Sequence, residues 1–158
     1  MASSREFPER PIVGVGGVVI EDGHALLIRR GTEPLLGEWS IPGGTLELGE
    51  TLEAGVAREL SEETGVVVRV LGLIEVFDRI FTPEGNISSE KEMRPKYHFV
   101  IADYLCERIS GEAKASSDVT DVSWARQEVL PQYRMTGTAM RILRKAFEMD
   151  RARRGKAG

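Results

Sequence analysis

Six glutamates lie close together between Gly43 and Val66, a segment that contains one arginine, Arg58. Two carboxylates about 6 Å apart repel by about 3 kcal/mol at an effective dielectric constant near 20. One arginine neutralises only one of these charges, so a divalent cation is expected to neutralise the others. Oxygen ligands favour Mg²⁺ or Mn²⁺. A solvated acidic helix face is the alternative. The glutamates are Glu47, Glu50, Glu53, Glu59, Glu62 and Glu63.

Residues 51–64 carry a helical pattern, which Thr51 is suited to begin and Gly65 to end. At about 100° per residue, Glu59 and Glu63 fall beside the apolar stripe, whereas Arg58 falls on the far side. Carboxylates at the edge of a buried stripe are unfavourable without a counter-charge. Their position therefore favours a metal site over a solvated acidic face.

Gly55 lies between the acidic side chains on the same helical wheel. A glycine inside a helix costs about 1 kcal/mol relative to alanine. Gly55 could leave room for a ligand, but simple tolerance of a glycine or tight packing of the helix against the sheet is the favoured explanation.

The surrounding elements show a mixed β/α order without regular helical crossovers, which argues against a doubly wound fold. Apolar and β-branched runs predict strands, and spacings of three and four predict helices. The predicted strands are 11–20, 24–30, 66–81 with a bend at Gly72, 96–109 and 119–125. The predicted helices are 51–64 and 136–152, with a turn at 126–131, and the predicted loops are 31–44, 82–95 and 110–118.

The 158 residues suffice for one domain with its own core, and a net charge of −4 gives no reason to expect nucleic acid or an anionic membrane as partner. Cys106, the single cysteine, permits no internal disulfide and is expected to be a small core residue rather than a nucleophile. No apolar run approaches the ~18 residues of a membrane span, and no signal peptide is evident, which predicts a cytoplasmic protein.

The acidic segment resembles the signature of the Nudix hydrolase family. The positions that carry the resemblance are Gly44, Glu50, Arg58, Glu59, Leu60, Glu62, Glu63, Gly65 and Val66. The preceding residues GEWSIPGG (37–44) are also similar to the family's approach to this signature. The resemblance implies an α/β (α+β) fold, an α/β/α sandwich with a central mixed β-sheet, over residues 11–150. Residues 1–10 are expected to form a flexible N-terminal segment and 151–158 a basic C-terminal tail.

The implied activity is hydrolysis of a nucleoside diphosphate linked to another group, by attack of water on phosphorus with Mg²⁺ (Mn²⁺ is also possible) as cofactor. By resemblance, Glu59 and Glu63 are the principal metal ligands, and Glu62 ligates a metal or its water. A backbone carbonyl of Gly43 or Gly44 joins them.

The resemblance also implies roles for three further positions near the metal site. Arg58 corresponds to the family residue that orients the catalytic glutamates, and Glu50 to the one that supports the loop or an outer metal. Some family members add an acid from a late loop, for which Asp118 is the first candidate and Glu112 the second. A surface turn residue is the alternative for either.

The segment around LLIRRGTEPLLGEWSIPGG, with Pro83 further on, is most similar to the ADP-ribose pyrophosphatase branch. A nucleoside triphosphate pyrophosphohydrolase, acting on dNTPs or oxidised nucleotides, is the rival within the family. A non-catalytic nucleotide-sugar-binding module is disfavoured because the signature is intact. The expected partner is thus a small nucleoside diphosphate derivative, and a homodimer is possible, with strand 11–20 pairing across it.

Several side chains outside the signature are candidates for substrate binding. The candidates for pairing with phosphates are Arg29, Arg30 and Lys96. The candidates for stacking on a base are Trp39, Phe81 and Tyr97, each with packing in the core or a loop as its alternative.

Overall fold

The computed structural model of the chain describes residues 5–83 and 94–156. Its strands are β1 (Ile12–Glu21), β2 (His24–Arg30), β3 (Trp39–Ser40), β4 (Gly43–Thr45), β5 (Val67–Phe81), β6 (Tyr97–Ser110) and β7 (Val119–Arg126). Its helices are α1 (Leu52–Thr64), a 3₁₀ helix (Gln127–Gln132) and α2 (Gly137–Lys156).

Most predicted elements are confirmed to within one or two residues. Segment 31–44 is not entirely loop as predicted, since it contains β3 and the start of β4. Helix α2 continues to Lys156, four residues beyond its predicted end at 152. Most of the predicted loop 82–95 lies outside the described residues.

The strands form a mixed sheet in the order β3-β2-β1-β6-β5, in which β1 and β6 are parallel and their other neighbours antiparallel. Strand β4 pairs with the first half of β1, and β7 pairs with β2. The predicted mixed sheet is confirmed.

Strand β1 has partners along both of its edges. Strand β6 pairs with it over 12–19 on one side, and β4 and β2 pair with it on the other. The prediction that strand 11–20 pairs across a dimer is therefore wrong, because its hydrogen-bonding groups are used within the chain. A homodimer of another kind stays a prediction.

Alternating side chains of β1 face two separate apolar cores, one on each side of the sheet. The sheet is therefore the middle layer of a sandwich between α1 and α2. Val15 and Val19 pack with Leu60 of α1, and Val18 packs with Leu143 of α2 on the other face. Successive side chains of a strand point to opposite faces, so this strand supports both helices.

Cys106 is buried in the core on the α1 side. This burial confirms the predicted core position and raises the pKa of the thiol to about 12.

Helix α1 begins and ends where the sequence predicts. Thr51 Oγ1 accepts a hydrogen bond of 3.1 Å from the Ala54 N–H, and Gly65 adopts φ 73°, which favours glycine. A Cβ on Gly55 would lie 2.8 Å from Leu46 Cδ1 and 3.0 Å from Glu50 Oε1. The packing explanation for Gly55 is therefore the one that the structure supports.

Among the described residues, neither helix is long and apolar enough to span a bilayer. The cytoplasmic location stays a prediction.

Candidate active site

Glu59 and Glu63 of α1 lie against the glycine pair that forms the start of β4. Gly43 N–H donates a 2.8 Å hydrogen bond to Glu63 Oε1. A Cβ on Gly44 would lie 2.5 Å from the Glu59 carboxylate carbon, and one on Gly43 would lie 2.2 Å from the Val15 carbonyl oxygen. Each glycine is thus required by a close approach, Gly43 by β1 and Gly44 by the Glu59 carboxylate.

These glutamates border a cavity of about 550 Å³. Its charged lining includes the acids Glu59, Glu62, Glu63 and Asp118 and the arginines Arg30, Arg58 and Arg79. Opposite charges from separate elements therefore meet in one concave site, which is the usual setting for a bound ligand.

Burial shifts the protonation of the two inner carboxyls. Glu63 is 5% exposed, and desolvation raises its pKa to about 8, with the charges of Glu59 and Asp118 acting in the same direction. Desolvation also raises the pKa of Glu59, opposed by its hydrogen bond from Arg58. For both carboxyls, desolvation therefore outweighs the donors and counter-charges that the chain supplies.

Arg58 reaches four of the six glutamates. Its Nε and Nη2 donate to Glu50 at 2.6 and 2.9 Å, and its Nη1 donates to Glu59 at 2.8 Å and to Glu62 at 3.2 Å. The same Nη1 lies 3.7 Å from Glu47. The helical wheel places its Cα away from the acids, but its long side chain spans the gap.

Glu50 accepts hydrogen bonds from two nitrogens of Arg58. It does not line the cavity. Arg58 is the chief reason that the pKa of Glu50 is lowered, and Glu50 is the chief reason that the pKa of Arg58 is raised. Glu50 also accepts from the Glu47 N–H at 3.1 Å, so it ties the loop to the helix.

In the part of the chain that the structure describes, no three Asp, Glu, His or Cys side chains converge in a ready-made metal site. Glu59 and Glu62 accept hydrogen bonds from Arg58, and Glu63 accepts one from the Gly43 N–H. Each of these three carboxylates thus uses one of its two oxygens for a donor of the chain.

Asp118 enters the cavity from the loop before β7, whereas Glu112 is absent from its described lining. Desolvation is the main cause that raises the pKa of both Glu59 and Glu63, and the charge of Asp118 adds to it. Its carbonyl accepts from the Gly31 N–H at 2.9 Å, which fixes the loop against the end of β2. The structure thus brings the first candidate to the glutamates and leaves the second away from them.

The two consecutive arginines of β2 separate because strand side chains alternate. Arg30 lines the cavity, and its Nε donates to the Pro34 carbonyl at 2.6 Å. Desolvation is the main cause that lowers its pKa. Arg29 is exposed, and its Nε donates to the Gly37 carbonyl at 3.1 Å, outside the cavity.

The aromatic candidates lie outside this cavity. The Trp39 ring meets Tyr133 edge to face, with the centroids 5.2 Å apart, and packs on the α2-side core. Phe81 and Tyr97 meet edge to face at 5.9 Å with Lys96 over the Tyr97 ring, and these three line a separate cavity of about 480 Å³. Packing is thus the arrangement that the structure provides for all three rings.

Sequence reasoning missed the floor of the cavity. It is formed by alternate residues of three strands, namely Gly14, Gly16, Phe77, Arg79, Phe99, Ile101 and Asp103. The signal available was the acidic residue at the end of the alternating run Phe99, Ile101, Asp103 in an otherwise apolar strand.

Residues 10–146 match the sequence profile of the NUDIX domain. The chain belongs to the NUDIX family. It is 33% identical over 122 residues to an ADP-ribose pyrophosphatase of Methanocaldococcus jannaschii, covering 77% of this chain and 66% of that protein. It is also 36% identical over 146 residues to a MutT-like protein of Streptomyces ambofaciens, covering 90% of this chain and 83% of that one.

Among solved structures, a MutT NUDIX hydrolase from Burkholderia pseudomallei superposes with a TM-score of 0.70 at 30% identity, over 87% of this chain and 98% of that one. This likeness confirms the predicted α/β/α fold around a mixed sheet. With the family match, it identifies the chain as a Nudix hydrolase, an enzyme of the pyrophosphatase class.

Proposed function

We propose that this Nudix hydrolase cleaves ADP-ribose to AMP and ribose 5-phosphate in a reaction that depends on a divalent metal. The observation that carries the proposal is the meeting of Glu59, Glu63 and Arg30 in one cavity large enough for a nucleotide. The M. jannaschii relative named as an ADP-ribose pyrophosphatase supports this choice of substrate.

The donor set of the site fits Mg²⁺ or Mn²⁺. The nearby donors are carboxylate and carbonyl oxygens, and buried Glu63 has a raised pKa that a cation would lower. Glu59, Glu62 and Glu63, with a carbonyl of Gly43 or Gly44, would hold the ion, since Arg58 and Gly43 use only one oxygen of each carboxylate. When bound, the metal supplies neutralisation of the diphosphate charge and a position for the attacking water.

The chain's own groups supply the remaining steps. Arg30 binds a phosphate oxygen, and Arg58 keeps Glu59 and Glu62 in place through its Nη1. A carboxylate of the cluster, Glu59 or Glu62, accepts the proton of the attacking water. The new bond forms between the water oxygen and phosphorus, and the bridging oxygen leaves with the second product.

A panel of substrates tests this proposal. Purified protein is incubated with ADP-ribose, dNTPs, oxidised dGTP and dinucleotide polyphosphates, with Mg²⁺, with Mn²⁺ and with a chelator. We expect release of AMP from ADP-ribose with metal only, and with the highest kcat/KM of the panel. Preferential release of pyrophosphate from a triphosphate would replace this proposal with the rival one, and binding without turnover would support a nucleotide-sugar-binding module.

Asp118 is proposed as the late-loop acid of the reaction. We expect Asp118→Asn to lower kcat about 10- to 100-fold, since the carboxylate faces Glu59 and Glu63 and helps to hold the cation or its water. Asp121→Asn, on an exposed residue in β7, is the matched control. An unchanged rate in Asp118→Asn would mean that this acid is elsewhere or not used.

A further inference from the structure

The cavity floor holds one acidic side chain that the proposed reaction does not use. Asp103 of β6 is 4% exposed and borders the cavity. It lies beside Gly16 of β1, where an added Cβ would be 2.3 Å from Asp103 Oδ1. The absent side chain at Gly16 therefore leaves the space that the carboxylate occupies.

No residue within 5–83 or 94–156 forms a hydrogen bond or ion pair with this carboxylate. Arg79 is the cation that influences it, but Arg79 Nη2 donates to Thr136 Oγ1 at 3.3 Å. Burial raises the pKa of Asp103 to about 7, with Arg79 opposing the shift and Glu75 adding to it. A buried carboxylate without donors is unfavourable, so a ligand that brings donors would be bound strongly there.

The register of the strands sets the distance from Asp103 to the glutamates. Asp103 is opposite Gly16, which in turn is opposite Gly43, the residue bonded to Glu63. Two strand spacings of about 4.8 Å give roughly 10 Å. The backbone of Asp103 therefore lies two strands across the sheet from the residue that is bonded to Glu63.

The chemistry of the floor restricts the group that can meet Asp103. A phosphate is disfavoured beside this carboxylate, because like charges repel more strongly in a partly buried site than in bulk water. Phe77, Phe99 and Ile101 add apolar surface next to Asp103, which suits a sugar or a flat ring. The complementary ligand is thus neutral, partly apolar and able to donate hydrogen bonds.

We propose that Asp103 is a specificity-determining residue that accepts hydrogen bonds from the nucleoside part of the substrate, either from ribose hydroxyls or from an amino group of the base. This inference rests on the proposed function only in taking a nucleotide as the occupant of the cavity. Ribose hydroxyls and a base amino group are both neutral hydrogen-bond donors, and substrate analogues that lack one or the other distinguish them.

The test measures binding of AMP, which needs no turnover. Calorimetry with Mg²⁺ compares AMP with its 2′-deoxy and 3′-deoxy analogues and with the monophosphate of unsubstituted purine riboside. We expect the protein to bind AMP at least about tenfold more tightly than the analogue that lacks the donor. Asp103→Ala, which removes both acceptor oxygens, reduces that ratio to within about twofold, whereas Asp78→Ala, at an exposed residue of β5, keeps it.

The analogue that binds more weakly than AMP identifies the donor, since the deoxy compounds report on the ribose and the purine compound reports on the base.

We also expect the melting temperature of ligand-free Asp103→Asn at pH 8 to exceed that of the parent protein, because an unpaired charge is removed. A purely structural carboxylate would instead lower it. Gly16→Ala, whose Cβ displaces the carboxylate, is the second variant and is expected to lose the same discrimination.

Three results would overturn the inference: no binding of AMP, equal binding of all four compounds by the parent protein, or parent-like ratios in Asp103→Ala and Gly16→Ala. Asp103-dependent discrimination in a protein that fails to hydrolyse ADP-ribose would contradict the proposed function alone.

Discussion

Glu63→Gln is expected to lower kcat for the preferred substrate about 10²- to 10⁴-fold while the protein stays folded. The reason for the loss is that an amide cannot carry the negative charge that the site offers a cation. The fold is expected to persist because the amide oxygen of the substituted side chain can still accept from the Gly43 N–H, the hydrogen bond that measures 2.8 Å to Glu63. Steady-state kinetics with Mg²⁺ and circular dichroism measure the two effects.

The pH dependence of stability provides a second measurement on the same variant. The pKa of Glu63 is raised from 4.5 to about 8 in the metal-free fold, so the folded state binds more protons than the unfolded state between these values. Its contribution to the free energy of unfolding is thus present below pH 4.5 and is lost as the pH rises through 8. Metal-free Glu63→Gln is expected to lack this decline and to be the more stable protein at pH 8.

Glu53→Gln is the matched control, because Glu53 is an exposed acid in the first turn of the same helix. Its activity is expected to stay within about twofold of the parent protein, with a loss of at most about 1 kcal/mol of helix-dipole stabilisation. Parent-like activity in Glu63→Gln would contradict its assignment as a metal ligand.

Arg58→Lys is expected to lower kcat about 10- to 100-fold with a smaller change in KM, because the substitution disturbs the ligands rather than the substrate. The guanidinium holds Glu50 through two nitrogens and Glu59 and Glu62 through the third. An ammonium group is one point of charge and cannot reproduce that fork. The same variant is expected to lose about 1–3 kcal/mol of metal-free stability, measured by urea unfolding.

Adding Mg²⁺ is expected to recover part of that stability, since the cation takes over the neutralisation of Glu59 and Glu62. Arg69→Lys is the control, because Arg69 is an exposed arginine that pairs with Glu107 on the strands β5 and β6. An exposed pair is worth at most about 1 kcal/mol, and no effect on kcat is expected there. Equal kinetic effects in the two variants would contradict a positioning role for Arg58.

The local features of α1 were predictable because they depend on neighbours in the chain. A cap at Thr51, a left-handed end at Gly65 and the angular position of Glu63 follow from helical geometry over a few turns. Arg58 shows the limit of such reasoning, because a helical wheel places Cα atoms and says nothing of how far a long side chain extends.

Residues beyond the signature were harder to place. Arg29 and Arg30 are adjacent in sequence, yet only Arg30 lines the cavity, since the pairing of β2 decides which face each occupies. Phe81 and Tyr97 pack against each other beside a second cavity, an outcome of the register between β5 and β6.

By itself, the sequence determined the acidic helix, its ends, the mixed order of strands and the resemblance to the Nudix hydrolases, because these rest on spacing within short segments. Only the tertiary structure decided which distant groups share the cavity. Asp118 meets the glutamates through loop packing, and Asp103 meets Gly16 through the parallel pairing of two strands that are more than eighty residues apart. Contacts of that kind depend on strand register and sheet order, which a period-two pattern constrains to a face but not to a partner.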